Sequence, residues 1–300
     1  MTPGDFFGAR KEVSTPSGRI SYVEQGDGPV ALFVHGVLLN GYLWRHQLAA
    51  LGDARRCVAL DLLGHGHTRI DSDQDVSVTA NAHMLAQFLD ALAIDQVDLV
   101  GNDSGGGICQ IFAALYPSRL RSLVLSNCDA HDNWPPDAFK PFVDMVAAGG
   151  LADTLQAMLG DKAVYRSALA PAYERPDAVA DATIEAYLRP FVATEHRTRD
   201  LERFVNAFDC RHTLAIEDGL RQLQAPTLIA WGTDDIYFPL EWSHWLAQAI
   251  PGTRRRVEFA GARIFFPEER WQDFNEAVRA HWAASIAERK EWHASMAEQT

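Results

Sequence analysis

The sequence predicts an α/β fold in which a mostly parallel, doubly wound sheet carries an inserted helical cap. Short apolar runs without polar alternation, such as residues 30–34 and 97–100, are typical of central strands covered on both faces. Helix-like apolar spacing lies between these runs, which favours parallel strands joined by right-handed crossovers. This alternation stops after Cys128 and resumes at Pro226, so we expect an insertion between two strands.

The elements of the first half alternate along the chain. Predicted strands lie at residues 20–24, 30–34, 57–61, 97–102 and 123–125. Predicted helices lie at residues 44–51, 84–92 and 105–116. The apolar positions of the second helix are spaced to form one face, which then packs against the sheet.

The second half begins with the insertion. Residues 131–212 contain six prolines and helical patches but no convincing buried strand. We therefore divide the chain into a core, residues 1–130 and 213–300, and a helical cap, residues 131–212. The remaining predicted elements are a strand at 226–232, a helix at 240–250, a strand at 256–259 and a terminal helix from about residue 268. The polar residues 288–300 are expected to fray.

The composition excludes several classes of function. The 300 residues are 47% hydrophobic and 22% charged, as in ordinary globular proteins, and the net charge of −13 disfavours nucleic acids and anionic membranes as partners. No signal-peptide core, membrane-spanning stretch or Cys-x-x-Cys pair is present, so we expect a cytoplasmic protein. The expected partner is a small-molecule substrate, and the expected assembly is a monomer or a homodimer.

The segment Gly-Asn-Asp-Ser-Gly at residues 101–105 joins a predicted strand to a predicted helix. This is the pattern of a nucleophile elbow, whose apex is strained and needs small residues two positions away on each side. The apex is Asp103. A carboxylate that attacks an sp3 carbon forms an alkyl ester that water cleaves, whereas attack on an ester would form an anhydride. The elbow therefore indicates an alkyl halide or an epoxide as substrate.

Two other interpretations of this segment remain. Moving the frame by one residue places Ser104 at the apex, but Asn102 would then stand where the turn needs a glycine. The segment is otherwise a glycine-rich turn with a capping aspartate. Its glycines do not match the spacing of a dinucleotide-binding loop.

With these motifs, the chain resembles the α/β-hydrolase fold superfamily, and within it the aspartate-nucleophile branch of haloalkane dehalogenases and epoxide hydrolases. The resemblance covers nearly the whole chain and rests on residues 33–36, 61–66, 101–105 and 232–239. It implies a cap that covers the active site and catalytic residues at the carboxyl ends of the strands.

The resemblance also implies roles for individual residues. Asp103 is the nucleophile, Asp235 is the acid of the catalytic triad, and the backbone N–H groups of Ser104 and Val37 form the oxyanion hole. Ser104 and Val37 stand where dehalogenases carry their halide-binding side chains. Three tyrosines of the cap either protonate an epoxide oxygen or pack in the interior: Tyr165, Tyr173 and Tyr187.

The family places its catalytic histidine after the last strand, where this chain has no histidine and Arg263 or Ile264 stands instead. His131 follows the strand after the elbow helix, so we expect it at the mouth of the pocket, oriented by Asp129 or Asp132. His212 is a second candidate for the base. A capping or surface position remains the alternative for each histidine.

The expected lining of the pocket is apolar and predicts an apolar substrate without a cofactor. These lining residues are Leu38, Trp134, Phe238, Ile264, Phe265 and Phe266. No metal is expected, because His65 and His67 have no third ligand in the sequence.

Three functions remain open. The chain is a hydrolase with an Asp103 nucleophile and an unconventional base, or a lyase, isomerase or cyclase that uses Asp103 and Asp235 as acid and base. The third possibility is that the chain is a ligand-binding homologue that has lost catalysis.

Overall fold

A computed structural model describes residues 1–297, with side chains for residues 1–287. Of the stretch predicted to fray, residues 288–297 belong to the terminal helix, and residues 298–300 lie outside the described residues. The strands are β1 (Lys11–Thr15), β2 (Gly18–Gln25), β3 (Val30–Val34), β4 (Arg56–Leu60), β5 (Val97–Asp103), β6 (Leu120–Cys128), β7 (Thr227–Gly232) and β8 (Thr253–Phe259).

The strands form one eight-stranded sheet in the order β1-β2-β4-β3-β5-β6-β7-β8. All neighbours from β4 to β8 pair in parallel, and β1 and β2 add an antiparallel edge. The central strands β3 and β5 are buried along their whole length, as their continuous apolar runs predicted. The α/β fold class predicted from the sequence is confirmed.

Helices cover both faces of this sheet and fill the stretch between β6 and β7. They are α1 (Pro3–Gly8), α2 (Arg45–Leu51), α3 (Val78–Ala91), α4 (Ser104–Leu115), α5 (Lys140–Ala147), α6 (Leu151–Gly160), α7 (Lys162–Ala168), α8 (Asp181–Leu188), α9 (Glu195–Asn206), α10 (Arg211–Leu214), α11 (Glu217–Leu220), α12 (Leu240–Ala249), α13 (Phe266–Glu269) and α14 (Trp271–Ala297). Among the described residues, no single helix is both long and apolar enough to cross a bilayer.

The structure differs from the prediction at the edges of the sheet. Strand β1 was not predicted, because its residues are polar and mostly exposed and only its pairing with β2 makes it a strand. Strand β8 starts at Thr253, so the basic run 254–256 lies within an exposed edge strand. The predicted terminal helix is two helices, α13 and α14, which are separated at Arg270.

The topology decides where a site forms. Strands β3, β5, β6 and β7 are parallel neighbours, so the loops that follow them meet at one edge of the sheet. These loops carry the segment after Val34, the turn at Asp103, the segment after Cys128 and the segment after Gly232.

Candidate active site

Asp103 lies at the apex of a sharp turn between β5 and α4. Its backbone has φ 58° and ψ −139°, a conformation that costs free energy for a residue with a side chain. The chain is so close here that a Cβ atom at Gly105 would lie 2.3 Å from the carbonyl oxygen of His35. The strand–turn–helix geometry predicted for residues 101–105 is therefore present, with Asp103 and not Ser104 in the strained position.

The carboxylate of Asp103 lies in a buried cradle of backbone groups. The N–H groups of Ser104 and Val37 donate hydrogen bonds to it. Its Oδ2 atom packs on Gly36, where a Cβ atom would lie only 2.0 Å away. The pKa of Asp103 is raised to about 8, because burial and the nearby Asp235 outweigh the two N–H donors, which lower it.

His35 holds the turn that presents the N–H of Val37. Its Nδ1 lies 2.8 Å from the carbonyl oxygen of Gly36, and its Nε2 accepts a hydrogen bond of 3.0 Å from the N–H of Leu62. Burial lowers the pKa of His35 to about 4, so the ring is neutral at pH 7. Both nitrogens are occupied by the backbone, which makes His35 a structural residue.

A small cavity of about 50 Å³ opens over Asp103 and is mostly apolar. It is lined by Val37, Leu38, Asp103, Asp129, Pro136, Phe139, Leu169, Ala172, Phe208, Tyr237, Phe238, Ile264 and Phe265. Five lining residues expected from the sequence are among them: Val37, Leu38, Phe238, Ile264 and Phe265. Phe266 instead packs in the core against Phe259 and Phe274.

Asp129 lines the cavity, whereas the sequence analysis named it only as a residue that could orient His131. It directly follows β6, the neighbour of β5, and its side chain is buried. Its Oδ1 atom has no hydrogen-bond partner. Burial raises its pKa, and the charge of Asp103 adds to the shift. The signal in the sequence was its position after a central strand.

Asp235 lies near Asp103 but behind the wall of the cavity. Its Oδ1 accepts the N–H of Tyr237 at 2.8 Å and that of Phe238 at 3.3 Å, and its Oδ2 accepts the amide of Asn127 at 2.8 Å. Burial raises its pKa to about 7. Both oxygens are thus occupied by donors from the protein, which holds the loop after β7.

His131 does not reach the cavity where the sequence analysis expected it. Its ring packs on Trp242 and Trp245, and its Nε2 lies 3.4 Å from Oε2 of Glu217. The backbone of His131 has φ 50°, a turn that the sequence does not reveal and that accompanies this position away from Asp103. The cavity lining includes no histidine.

Trp134 and His212 also lie elsewhere. Trp134 is buried behind the cavity wall, against Gly107 and Phe208. Nδ1 of His212 lies 2.8 Å from the hydroxyl of Thr79, on the side of α3. Neither residue is in contact with the space above Asp103.

The segment after β8, where the resemblance implied a histidine, is held by hydrogen bonds on both sides. Asn102 donates its amide to the carbonyl oxygen of Ile264 at 2.9 Å, and the Ile264 side chain lines the cavity. Arg263 donates to the carbonyl oxygens of Ala170 at 2.6 Å and Tyr173 at 3.1 Å, in the inserted segment. Ile264, rather than Arg263, is therefore the residue that faces Asp103.

The three tyrosines of the insertion are buried, and two of them bond to Glu268, whereas the third contacts Tyr173. The hydroxyls of Tyr187 and Tyr173 donate to Glu268 at 2.8 and 3.2 Å, and that of Tyr165 lies 3.4 Å from that of Tyr173. Arg45 completes the cluster with an ion pair of 2.6 Å to Glu268. None of the three tyrosines lines the cavity.

A sequence profile of the α/β-hydrolase fold matches residues 29–270. The chain belongs to this family. Haloalkane dehalogenase 2 of Mycobacterium bovis is 30% identical over 226 residues, which are 74% of this chain and 76% of that protein. A cis-3-alkyl-4-alkyloxetan-2-one decarboxylase of Shewanella oneidensis is 27% identical over 240 residues, 76% of this chain and 74% of that protein.

Solved structures share the fold at lower identity. The enol-lactonase of Burkholderia xenovorans superimposes with a TM-score of 0.73 at 20% identity, over 91% of this chain and 100% of that one. A thermophilic esterase of Thermogutta terrifontis gives a TM-score of 0.71 at 21% identity, over 92% of this chain and 98% of that one. The fold therefore occurs with several named activities, and function depends on the residues of the site.

Proposed function

We propose that this protein is a hydrolase of small apolar molecules of the alkyl halide or epoxide type, with Asp103 as its nucleophile. The observation that carries the proposal is the setting of the Asp103 carboxylate. It stands at the strained apex after β5, it opens on an apolar cavity, and it accepts the N–H groups of Ser104 and Val37. This is the arrangement that a carboxylate needs to attack a bound carbon atom.

The reaction follows from this geometry in two steps. One oxygen of Asp103 attacks an sp3 carbon, the leaving group departs, and an alkyl ester of Asp103 forms. Water then attacks the ester carbonyl carbon. The N–H groups of Ser104 and Val37 hold the negative charge that develops on the other oxygen, where one such donor is worth about 10²–10³ in rate.

The dehalogenase relative and the character of the cavity support the substrate type. The relative at 30% identity is named for haloalkanes, and the cavity walls carry aromatic and aliphatic side chains. Asp235 supports Asp103 by holding the loop after β7. The base that activates water is unconventional in this proposal, because no histidine lines the cavity.

Intact-mass spectrometry after incubation with bromoalkanes and styrene-type epoxides tests the proposal. We expect either product or a mass increase that maps to Asp103, and neither with the Asp103→Asn variant. Asp234→Asn, an exposed aspartate beside Asp235, is the matched control and retains activity. If wild-type protein gives neither adduct nor product, a ligand-binding homologue becomes the better account.

A second candidate is a lyase, and the decarboxylase relative favours it specifically. That relative is named for a four-membered cyclic ester, a strained ring that also offers an sp3 carbon to a carboxylate. Release of CO2 from an alkyl oxetan-2-one by the wild-type protein, without activity on bromoalkanes or epoxides, would favour this candidate over the hydrolase.

A further inference from the structure

The hydrolase account requires two proton transfers for which the expected groups do not lie at the cavity. An epoxide oxygen needs a proton when the ring opens, but the tyrosine hydroxyls of the insertion contact Glu268. The ester of Asp103 needs a base to activate water, but no histidine lines the cavity. Asp129 is the other ionisable carboxyl group in that lining.

The contacts of Asp129 and Asp103 differ in a way that suits different tasks. The Asp103 carboxylate accepts two backbone N–H groups, which favour its ionised form. Oδ1 of Asp129 is buried without a hydrogen-bond partner, although the residue lines the same cavity. A buried carboxyl group without donors is most stable in its neutral form, because desolvation penalises the charge.

Among the residues that the structure describes, no cation contributes to the pKa of Asp129 and offsets this preference. Desolvation and the carboxyls of Asp103 and Asp235 raise the pKa of Asp129, and a hydrogen bond from its own backbone lowers it. The thiol of Cys128 precedes it, and the neutral Gln110 of α4 binds its backbone carbonyl at 2.6 Å. Two neighbouring carboxyls with unequal surroundings divide into one acid and one base.

We propose that Asp129 is the catalytic acid that protonates the leaving oxygen and then the base that activates water. This inference rests on the proposed function of Asp103. The reactive form of the pair has Asp103 ionised and Asp129 protonated, and it requires loss of the Asp103 proton, whose pKa is raised to about 8. In this proposal one buried side chain, that of Asp129, carries out both proton transfers.

Each proton in the catalytic cycle has a donor and an acceptor. Asp103 attacks the ring carbon, the C–O bond breaks, and its oxygen takes the proton of Asp129. The carboxylate of Asp129 then takes a proton from water while the water oxygen attacks the ester carbonyl carbon. When the tetrahedral intermediate collapses, the proton left on the carboxyl of Asp103 passes to the departing alkoxide. A diol leaves, with Asp103 ionised and Asp129 protonated again.

The account predicts different effects for two leaving groups, and this difference provides the test. Styrene oxide needs a proton for ring opening, but 1-bromobutane releases bromide without one. In Asp129→Asn we expect the alkylation of Asp103 by styrene oxide to slow about 10²-fold or more, the usual contribution of a general acid. With 1-bromobutane, alkylation continues in this variant. In wild type, esterification removes the charge of Asp103 that raises the pKa of Asp129, so Asp129 releases its proton to solvent and serves as the base. In Asp129→Asn the ester accumulates, because its hydrolysis lacks that base.

Intact mass and product formation are measured together in wild type, Asp129→Asn and Asp132→Asn, an exposed aspartate three residues further on. Asp132→Asn and wild type turn over both substrates. If Asp129→Asn opens styrene oxide and hydrolyses its bromobutane ester at wild-type rates, Asp129 has neither role. If wild type and both variants fail to react with either substrate, the Asp103 proposal itself fails. That outcome is distinguishable from the failure of the Asp129 proposal alone.

The pH profile of the wild-type protein provides a test that needs no folded variant. Alkylation by 1-bromobutane depends only on ionised Asp103 and rises to a plateau. Opening of styrene oxide also needs protonated Asp129, so its rate falls again at higher pH. Profiles of the same shape for both substrates would contradict the role of Asp129 as acid.

Discussion

Nδ2 of Asn102 lies 2.9 Å from the carbonyl oxygen of Ile264 and donates a hydrogen bond to it. The same nitrogen donates to the carbonyl oxygen of Ser126 at 3.1 Å, so one side chain joins β5, β6 and the loop after β8. This bond holds the loop directly beside the turn at Asp103. The side chain at position 264 consequently lines the cavity, at the place where the resemblance implied a histidine.

We therefore expect Ile264→His to supply a base. When this change is added to the Asp129→Asn background, the ester formed with 1-bromobutane should disappear about 10²-fold faster, because a positioned base assists water. Decay of the adduct mass measures this rate. Ile264→Gln is the control, because glutamine is polar but does not act as a base. An adduct that is equally stable with histidine and glutamine would show that position 264 does not reach the ester.

The Asp103 carboxyl is expected to destabilise the folded protein at neutral and higher pH. Its pKa of about 8 lies above the ordinary 3.8, so between those values the folded state holds a proton that the unfolded chain has released. Stability from this group is therefore lost as the pH rises from about 4 to 8. Asp103→Asn should gain on the order of 5 kcal/mol at pH 8 and little at pH 4, because each unit of pKa difference is worth about 1.4 kcal/mol.

Urea denaturation of wild type and Asp103→Asn at several pH values measures this difference. Asp234→Asn serves as the control, because Asp234 is exposed and its substitution should leave the pH dependence unchanged. A difference between wild type and Asp103→Asn that stays constant from pH 4 to pH 8 would be inconsistent with a raised pKa.

The tyrosines of the insertion should not be the acids of ring opening. Tyr173 and Tyr187 donate their hydroxyls to Glu268 and do not line the cavity. We expect the double variant Tyr173→Phe/Tyr187→Phe to open styrene oxide within a few-fold of the wild-type rate. Single-turnover mass spectrometry measures the rate. A loss of about 10²-fold, with unchanged alkylation by 1-bromobutane, would return the acid role to these tyrosines.

Glu268 joins the inserted segment to the core and should contribute to stability. Its ion pair with Arg45 is buried, with side-chain exposures of 6% and 11%. Glu268→Gln leaves the Arg45 charge without its counter-ion, so we expect the free energy of unfolding to fall by about 3 kcal/mol. Thermal denaturation tests this against Glu276→Gln, an exposed site on α14. Equal melting temperatures for the two variants would rule out a stabilising ion pair.

Features that depend on local sequence were predictable. The spacing of small residues around Asp103 indicated the turn, and uninterrupted apolar runs indicated the buried parallel strands. Val37, Leu38, Ile264 and Phe265 were expected at the cavity because each lies just after a strand end, and the parallel sheet brings those ends together.

Features that depend on tertiary contacts were not predictable from the sequence. His131 turns away because its backbone is left-handed and its ring finds Trp242 and Trp245 on α12. Asp129 is only two residues earlier, yet it alone of the two reaches the cavity. By residue type alone, His131 was the better candidate for the base. The direction of the chain after β6 instead places the Asp129 side chain at the cavity.

The most direct measurement is turnover in H2¹⁸O followed by mass analysis of the peptide that contains Asp103. Attack of water on the ester carbonyl carbon places ¹⁸O in the Asp103 carboxyl group, and we predict that label after repeated turnovers of styrene oxide. An unlabelled Asp103 with ¹⁸O only in the diol would mean that water attacks the substrate directly. That result would contradict the assignment of Asp103 as nucleophile.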